Sequence, residues 1–270
     1  MPTSHNKFAK VALILWFFAV IQSAMAITGI VNINDTSAER VLFGVIELTT
    51  MALLLLNALA IMRYTAKQSC VIAHRFSKLC LYSLFFCFAG DIVNRNFPQL
   101  FYQYDNVIKH SYLADSVIFF FPGYFILVLA IAHLAIKSGL SSKLIIVTTV
   151  IATTLAVMTY HDMHLTSVSN VLTLITASYA ILVSILAVST IWLIIPLMQY
   201  KVPPRIWGAA LGLVLAMVAD ALIGKYWIFG NQGQGYFPLV SHVNWIVYFT
   251  SQVLIQQLPI GLLQMKLPSK

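Results

Sequence analysis

The sequence predicts an all-α polytopic membrane bundle of eight transmembrane helices with both termini in the cytoplasm. Three observations carry this reading. Lys, Arg, Asp and Glu make up only 9% of the 270 residues, where a soluble domain carries about 25%. Hydrophobic residues make up 60% of the chain and mean hydropathy is +0.87, more apolar surface than a single water-soluble core can hide. Finally, the apolar residues are gathered into eight segments, each close to the roughly 20 residues that a helix needs to cross a bilayer.

Taken in order, the first span, 8–30, follows Lys7 and Lys10. Its Ala24-Met25-Ala26 resembles the small-residue site at which a signal peptide is cut. Cleavage there would leave seven spans, but the apolar run continues to Ile30 and is read as a full crossing. The second, 41–63, carries Glu47 and closes on Arg63. The third, 76–95, holds Asp91 and ends at Arg95. The fourth, 115–136, begins with Asp115 and contains Pro122-Gly123, the strongest mid-helix breaker in the chain. The fifth and sixth, 144–161 and 170–196, are almost wholly apolar. The seventh, 206–227, carries Asp220, and the eighth, 244–263, carries a stripe of polar side chains. Each must be helical, since an isolated segment in lipid has to satisfy its own backbone hydrogen bonds. No stretch remains for a soluble domain, so residues 1–270 read as one integral membrane unit.

Orientation follows from the basic residues. Of the 16 Lys and Arg, 12 lie at the termini and in the even-numbered loops, and only Arg40, Arg95, Lys109 and Lys225 lie on the other side. Short loops rich in Lys and Arg stay in the cytoplasm. The formal charge of +8 is scattered rather than gathered on one face, which argues against nucleic-acid binding. Cys70, Cys80 and Cys87 lack Cys-x-x-Cys spacing, so neither a disulfide framework nor a metal site is expected, and no cofactor is implied. Gly-x-Ser-x-Gly and His-Glu-x-x-His patterns are absent from the sequence, which excludes serine hydrolases and zinc proteases built on them.

The eight acidic residues all fall in non-cytoplasmic loops or in the outer half of a span. Asp35, Glu39, Asp105 and Asp162 read as solvated loop residues. Asp91, Asp220 and Glu47 lie at one depth within the membrane, where a carboxyl group costs about 2.5–3.5 kcal/mol to insert and faces protein, a partner or water. Together they predict a polar pocket toward the outer leaflet, with Asp115 at its rim. Arg95, four residues after Asp91, and Lys225, five after Asp220, are candidate ion-pair partners on the same helices. Tyr248, Ser251, Gln252 and Gln256 recur at spacings of three and four, so they share one helix face. That stripe either ties helices together or lines the same pocket. His133, near the cytoplasmic end of its span, reads as a packing residue. The outer loops are rich in aromatics, Phe97, Phe101, Tyr102, Tyr104 and Tyr112 among them, which read chiefly as interface anchors.

Several of these patches resemble the lysoplasmalogenase (YhhN-like) membrane family. Gly208-Ala209-Ala210, Val218-Ala219-Asp220-Ala221-Leu222 and Tyr248-Phe249-Thr250-Ser251-Gln252 resemble the family's small-residue-Asp motif on its seventh helix and its Tyr-Tyr-x-Ala-Gln-like motif on its eighth. Phe88-Ala89-Gly90-Asp91 resembles its Gly-Asp motif, and Ala132-His133-Leu134 its Ala-His-Leu. The chain departs from the pattern at Glu47-Leu48, where the family usually has Lys-Pro, and in a longer interval from Gly123 to His133.

The resemblance implies hydrolysis of the vinyl-ether bond of a lysophospholipid, in a multi-pass protein expected in a bacterial inner membrane. Vinyl ethers hydrolyse through protonation of the carbon–carbon double bond, so such an enzyme needs a carboxylic acid that retains its proton. Asp91 and Asp220 would share that chemistry, one as general acid and the other orienting water. Glu47, Asn94, Asp115, Tyr248 and Gln252 would contact substrate or hold the acids. A proton-coupled transporter and a non-catalytic lipid-binding protein are the alternative readings. The former would require an inverted repeat and broken helices.

Overall fold

The computed structural model describes residues 6–31, 37–95, 97, 108–162, 170–225 and 238–265, with backbone alone at 37–40, 108–115, 162, 172 and 238–239. Among the described residues there is no strand. Helices α1 (Asn6–Ile27), α2 (Ser37–Thr65), α3 (Val71–Arg95), α4 (Ile108–Lys137), α5 (Ser142–Asp162), α6 (Asn170–Leu197) and α7 (Pro204–Ile223) each supply one crossing, while α8 (Pro238–Ile255) and α9 (Leu258–Gln264) share the last. Eight segments are long and apolar enough to cross a membrane, and the protein is an all-α, polytopic, multi-pass membrane bundle.

Two prolines behave differently from each other. Pro122 lies inside α4 without ending it. There Gly123 brings α4 so close to α3 that an added Cβ would meet the Ser83 carbonyl oxygen at 3.0 Å, and tight helix contact of this kind supports a proline-bearing helix in lipid. Pro259, in contrast, stands in the first turn of α9, just after the break at Gln256–Gln257. It has no N–H to offer the carbonyl four residues back, so the α8 ladder cannot run through it, while the start of a new helix tolerates it. The Gln256 amide at this break donates to the Cys80 carbonyl of α3 at 3.1 Å.

In lipid, association cannot rely on removing apolar surface from water, so packing and interhelical hydrogen bonds carry it. Trp16 Nε1 of α1 donates to Thr250 Oγ1 of α8 at 2.8 Å, and Asn57 Nδ2 of α2 to the Phe8 carbonyl of α1 at 3.2 Å. Trp192 Nε1 ties α6 to Thr148 of α5 at 2.8 Å, and Thr190 ties α6 to the Ala210 carbonyl of α7 at 3.1 Å. α7 and α8 also approach backbone to backbone. A Cβ added at Gly212 would sit 2.9 Å from the Ser251 carbonyl oxygen and 3.0 Å from Leu254 Cβ, whereas one at Gly208 would meet only Leu254 Cδ2, at 3.4 Å. Gly208, Gly212, Ala216 and Asp220 recur every four residues, so the small-residue seam leads directly to the carboxyl.

Gly212→Leu is expected to destabilise the protein by about 1–3 kcal/mol, because the backbone of α8 has to retreat. Gly208→Ala is expected to change stability by less than half as much. Thermal unfolding of the detergent-solubilised variants, followed by intrinsic fluorescence, checks the pair.

Candidate functional site

Asp91, in the last turns of α3, is buried at 5% exposure. Its Oδ2 accepts a hydrogen bond from the Tyr248 hydroxyl of α8 at 2.9 Å. Gly90 opens the space beside it, since a Cβ there would lie 2.7 Å from the Phe120 ring. That ring meets Tyr248 edge-on, with centroids 6.0 Å apart, and leads on to Tyr124, which stacks on Tyr179 of α6 at 6.3 Å. The Tyr179 hydroxyl is directed at the Asp220 carboxyl of α7. The two carboxyls are thus joined by an aromatic chain and lie within electrostatic range of each other, together with Cys87.

Most of the polar groups here are not paired off. Ser83 Oγ, Asn94 Oδ1, Tyr124 Oη, Tyr179 Oη, Asp220 Oδ2 and Gln252 Oε1 are buried and lack a hydrogen-bond partner. The Gln252 amide is aimed at the Tyr124 hydroxyl, as Tyr179 is at Asp220, but neither contact closes into a formed bond. Buried polar atoms are nearly always partnered. This gathering of exceptions around two carboxyls marks a place built to receive hydrogen-bonding groups.

Asp91 and Asp220 differ in access. A cavity of about 440 Å³ lies among α4, α5, α6 and α7, with the end of α3 at one side, and Asp220, Asn94, Tyr179 and Lys225 line it. Asp220 is half-buried and reaches it, while Asp91 sits behind Tyr248 and is not among the lining residues.

Glu47 finds its partner on a neighbouring helix. It is buried at 2% exposure and ion-paired with Arg95, whose guanidinium also lies over the Trp245 ring, 5.6 Å from the centroid. Arg95 therefore serves Glu47 rather than Asp91, four residues earlier. Gln252 is buried and Asn94 half-buried, each with its carbonyl oxygen unpartnered, and the side chain of Asp115 lies outside the described residues. So do the side chains of Asp35, Glu39, Asp105 and Asp162, and the outer-loop aromatics Phe101, Tyr102, Tyr104 and Tyr112. His133 Nε2 lies 3.4 Å from Arg75 Nη1, toward the other end of the bundle. Among the described residues no group of three His, Cys, Asp or Glu side chains converges as metal ligands would.

Tyr124, Tyr179 and Ser83 were not among the residues singled out in the sequence. Their signal is faint. A tyrosine in an apolar span reads as an interface anchor unless its depth is compared with that of the acids on other helices. Comparison with family profiles, curated proteins and solved structures finds no match for this chain.

Tyr248→Phe is expected to cost about 1–3 kcal/mol, since Asp91 loses its donor in a buried setting. Arg95→Met, which strands the Glu47 charge, is expected to cost about 3–5 kcal/mol, and the Glu47→Gln/Arg95→Met double variant to recover a large part of that loss. Denaturation midpoints for the singles and the double check both statements.

Proposed function

We propose that the protein is a membrane-embedded lipid hydrolase, resembling lysoplasmalogenases, that cleaves the vinyl-ether bond of a lysophospholipid to an aldehyde and a glycerophospho-head-group. The observation that carries this reading is a carboxyl, Asp220, at the polar end of an apolar cavity, with a second buried carboxyl, Asp91, outside the lining but within electrostatic range of it. In a single-chain ether lipid the reacting bond lies where chain meets head group, and Asp220 stands where the apolar walls give way to polar side chains.

In this scheme Asp220 is the general acid. It delivers its proton to the vinyl carbon remote from the ether oxygen, leaving an oxocarbenium ion whose positive charge the nearby carboxylate and phenolic oxygens oppose. Water adds to that ion, and the hemiacetal collapses to aldehyde and alcohol, with the proton returned to the Asp220 carboxylate. Asp91 acts through Tyr248 as a positioning residue. Asn94, Tyr179 and Gln252 offer oxygen atoms to the incoming water or to the head-group side of the substrate. A bacterial inner membrane belongs to the same reading, with the resemblance as its support.

Glu47 stands in a separate ion pair, so the acid found where the resembled family usually has Lys-Pro is accommodated by Arg95 rather than by the proposed reaction centre.

Incubating the purified protein with lysoplasmalogen and measuring aldehyde release tests the proposal. Asp220→Asn is expected to lower turnover by about 10²–10⁴-fold, the range of general acid catalysis. Asp91→Asn is expected to lower it less. A folded Asp220→Asn variant with full activity overturns the scheme, and binding without turnover by the unmodified protein marks a lipid-binding protein instead.

A further inference from the structure

The cavity has a definite length. On α6 its lining runs from Thr176 to Val188, a rise of about 18 Å at 1.5 Å per residue, slightly more than one leaflet of a hydrocarbon core about 30 Å thick. A volume of about 440 Å³, within the range of small-molecule sites, is drawn out over that length into a long slot whose shape suits an extended hydrocarbon chain.

Its ends are chemically different. The outer end holds Asp220, Asn94, Thr176 and Tyr160, while toward the middle of the bundle the lining passes to Val183, Ala187 and Val188 on α6 and Ala152 on α5. The rim is exposed at Leu155 and Thr159 of α5, at Ala221 of α7 and at Lys225 just past its end, which puts the mouth between these two helices. α5 packs extensively on α6 alone, and only 17% of its most apolar window is buried, against 72% for the last span. One wall of the cavity is thus a lipid-facing helix held from a single side.

We infer that this cavity is a measuring slot for the single hydrocarbon chain of a lipid, admitted from the bilayer between α5 and α7, with Ala187 and Ala152 setting the longest chain it accepts. Small side chains at these two positions leave the slot its depth. A bulkier residue at either one raises the floor, and each methylene that no longer fits loses its apolar contacts or forces the walls apart. The inference rests on the hydrolase reading for its purpose, but chain binding is measurable without turnover.

The test uses the full-length protein in detergent with a fluorescent fatty acid as displaceable probe. The competitors are ester-linked lysophosphatidylethanolamines of increasing chain length, which lack the vinyl ether and so report binding alone. The unmodified protein is expected to bind more tightly as the chain lengthens, up to a limit. Ala187→Phe is expected to move that limit to shorter chains and to weaken binding of the longest by about tenfold or more. Ala152→Leu, from the facing wall, is expected to act in the same direction and stands in if Ala187→Phe does not fold. Ile151→Phe, on the lipid-facing side of α5 at 52% exposure, is expected to leave the profile unchanged. An identical length profile in the unmodified and floor variants overturns the inference, as does a two-chain phospholipid that competes equally well. Binding with the expected length limit but no aldehyde release from lysoplasmalogen overturns the hydrolase reading and leaves this one standing.

Discussion

In hydrocarbon, a polar group that the protein does not satisfy stays unsatisfied, and this constraint governs the whole molecule. It makes every crossing a helix. It also turns the few polar side chains of the spans into connectors. Trp16, Asn57, Trp192, Thr190 and Gln256 each spend a donor on a neighbouring helix. Against that background the unpartnered oxygens of Tyr124, Tyr179, Asp220 and Gln252 stand apart. Among the described residues, six buried side-chain atoms without a partner gather around the two carboxyls, while others, such as those of Gln22, Ser23 and Gln257, are spread through the rest of the bundle.

The same constraint separates the three intramembrane acids. Glu47 is neutralised by Arg95, and the guanidinium is held in turn by Trp245, so this pair works as a structural clasp among α2, α3 and α8. Asp91 has a single phenolic donor, and Asp220 faces a cavity. The placement of the last two depends on the α7–α8 seam, where Gly212 lets the helices meet backbone to backbone. The stripe of small residues and the carboxyl follow one helical repeat, so the packing that brings α8 close also sets Asp220 at its height in the bundle.

Much of this was legible in the sequence. Charge scarcity and segment length predicted eight crossings, and the structure places them within a few residues of those boundaries. The shared depth of Asp91, Asp220 and Glu47 was legible because depth follows from counting residues along a helix of known rise. What counting does not reveal is azimuth, the direction in which a side chain leaves its helix. Arg95 lies on the same side of α3 as Asp91 by spacing, yet it reaches across to Glu47, because a long flexible cation pairs with whatever acid the neighbouring helix presents. Tyr124 and Tyr179 went unread for a related reason, since their stacking depends on the approach of α4 and α6. Proline was ambiguous too. Pro122 is absorbed by close contact with α3, while Pro259 stands in the first turn of a new helix just past a break, and the difference lies in the neighbours.

The loose seating of α5 has a consequence for how the bundle moves. Opening free energies within one protein range from near zero to the full unfolding cost, and the least anchored elements open first. A helix packed chiefly on one neighbour has a single large interface to break, while each of the other crossings packs on at least two. The membrane itself then acts as part of the hinge, for whatever α5 exposes when it swings is solvated by lipid rather than by water. Bilayer thickness and tail order thereby become variables in the behaviour of a site whose two carboxyls lie on other helices.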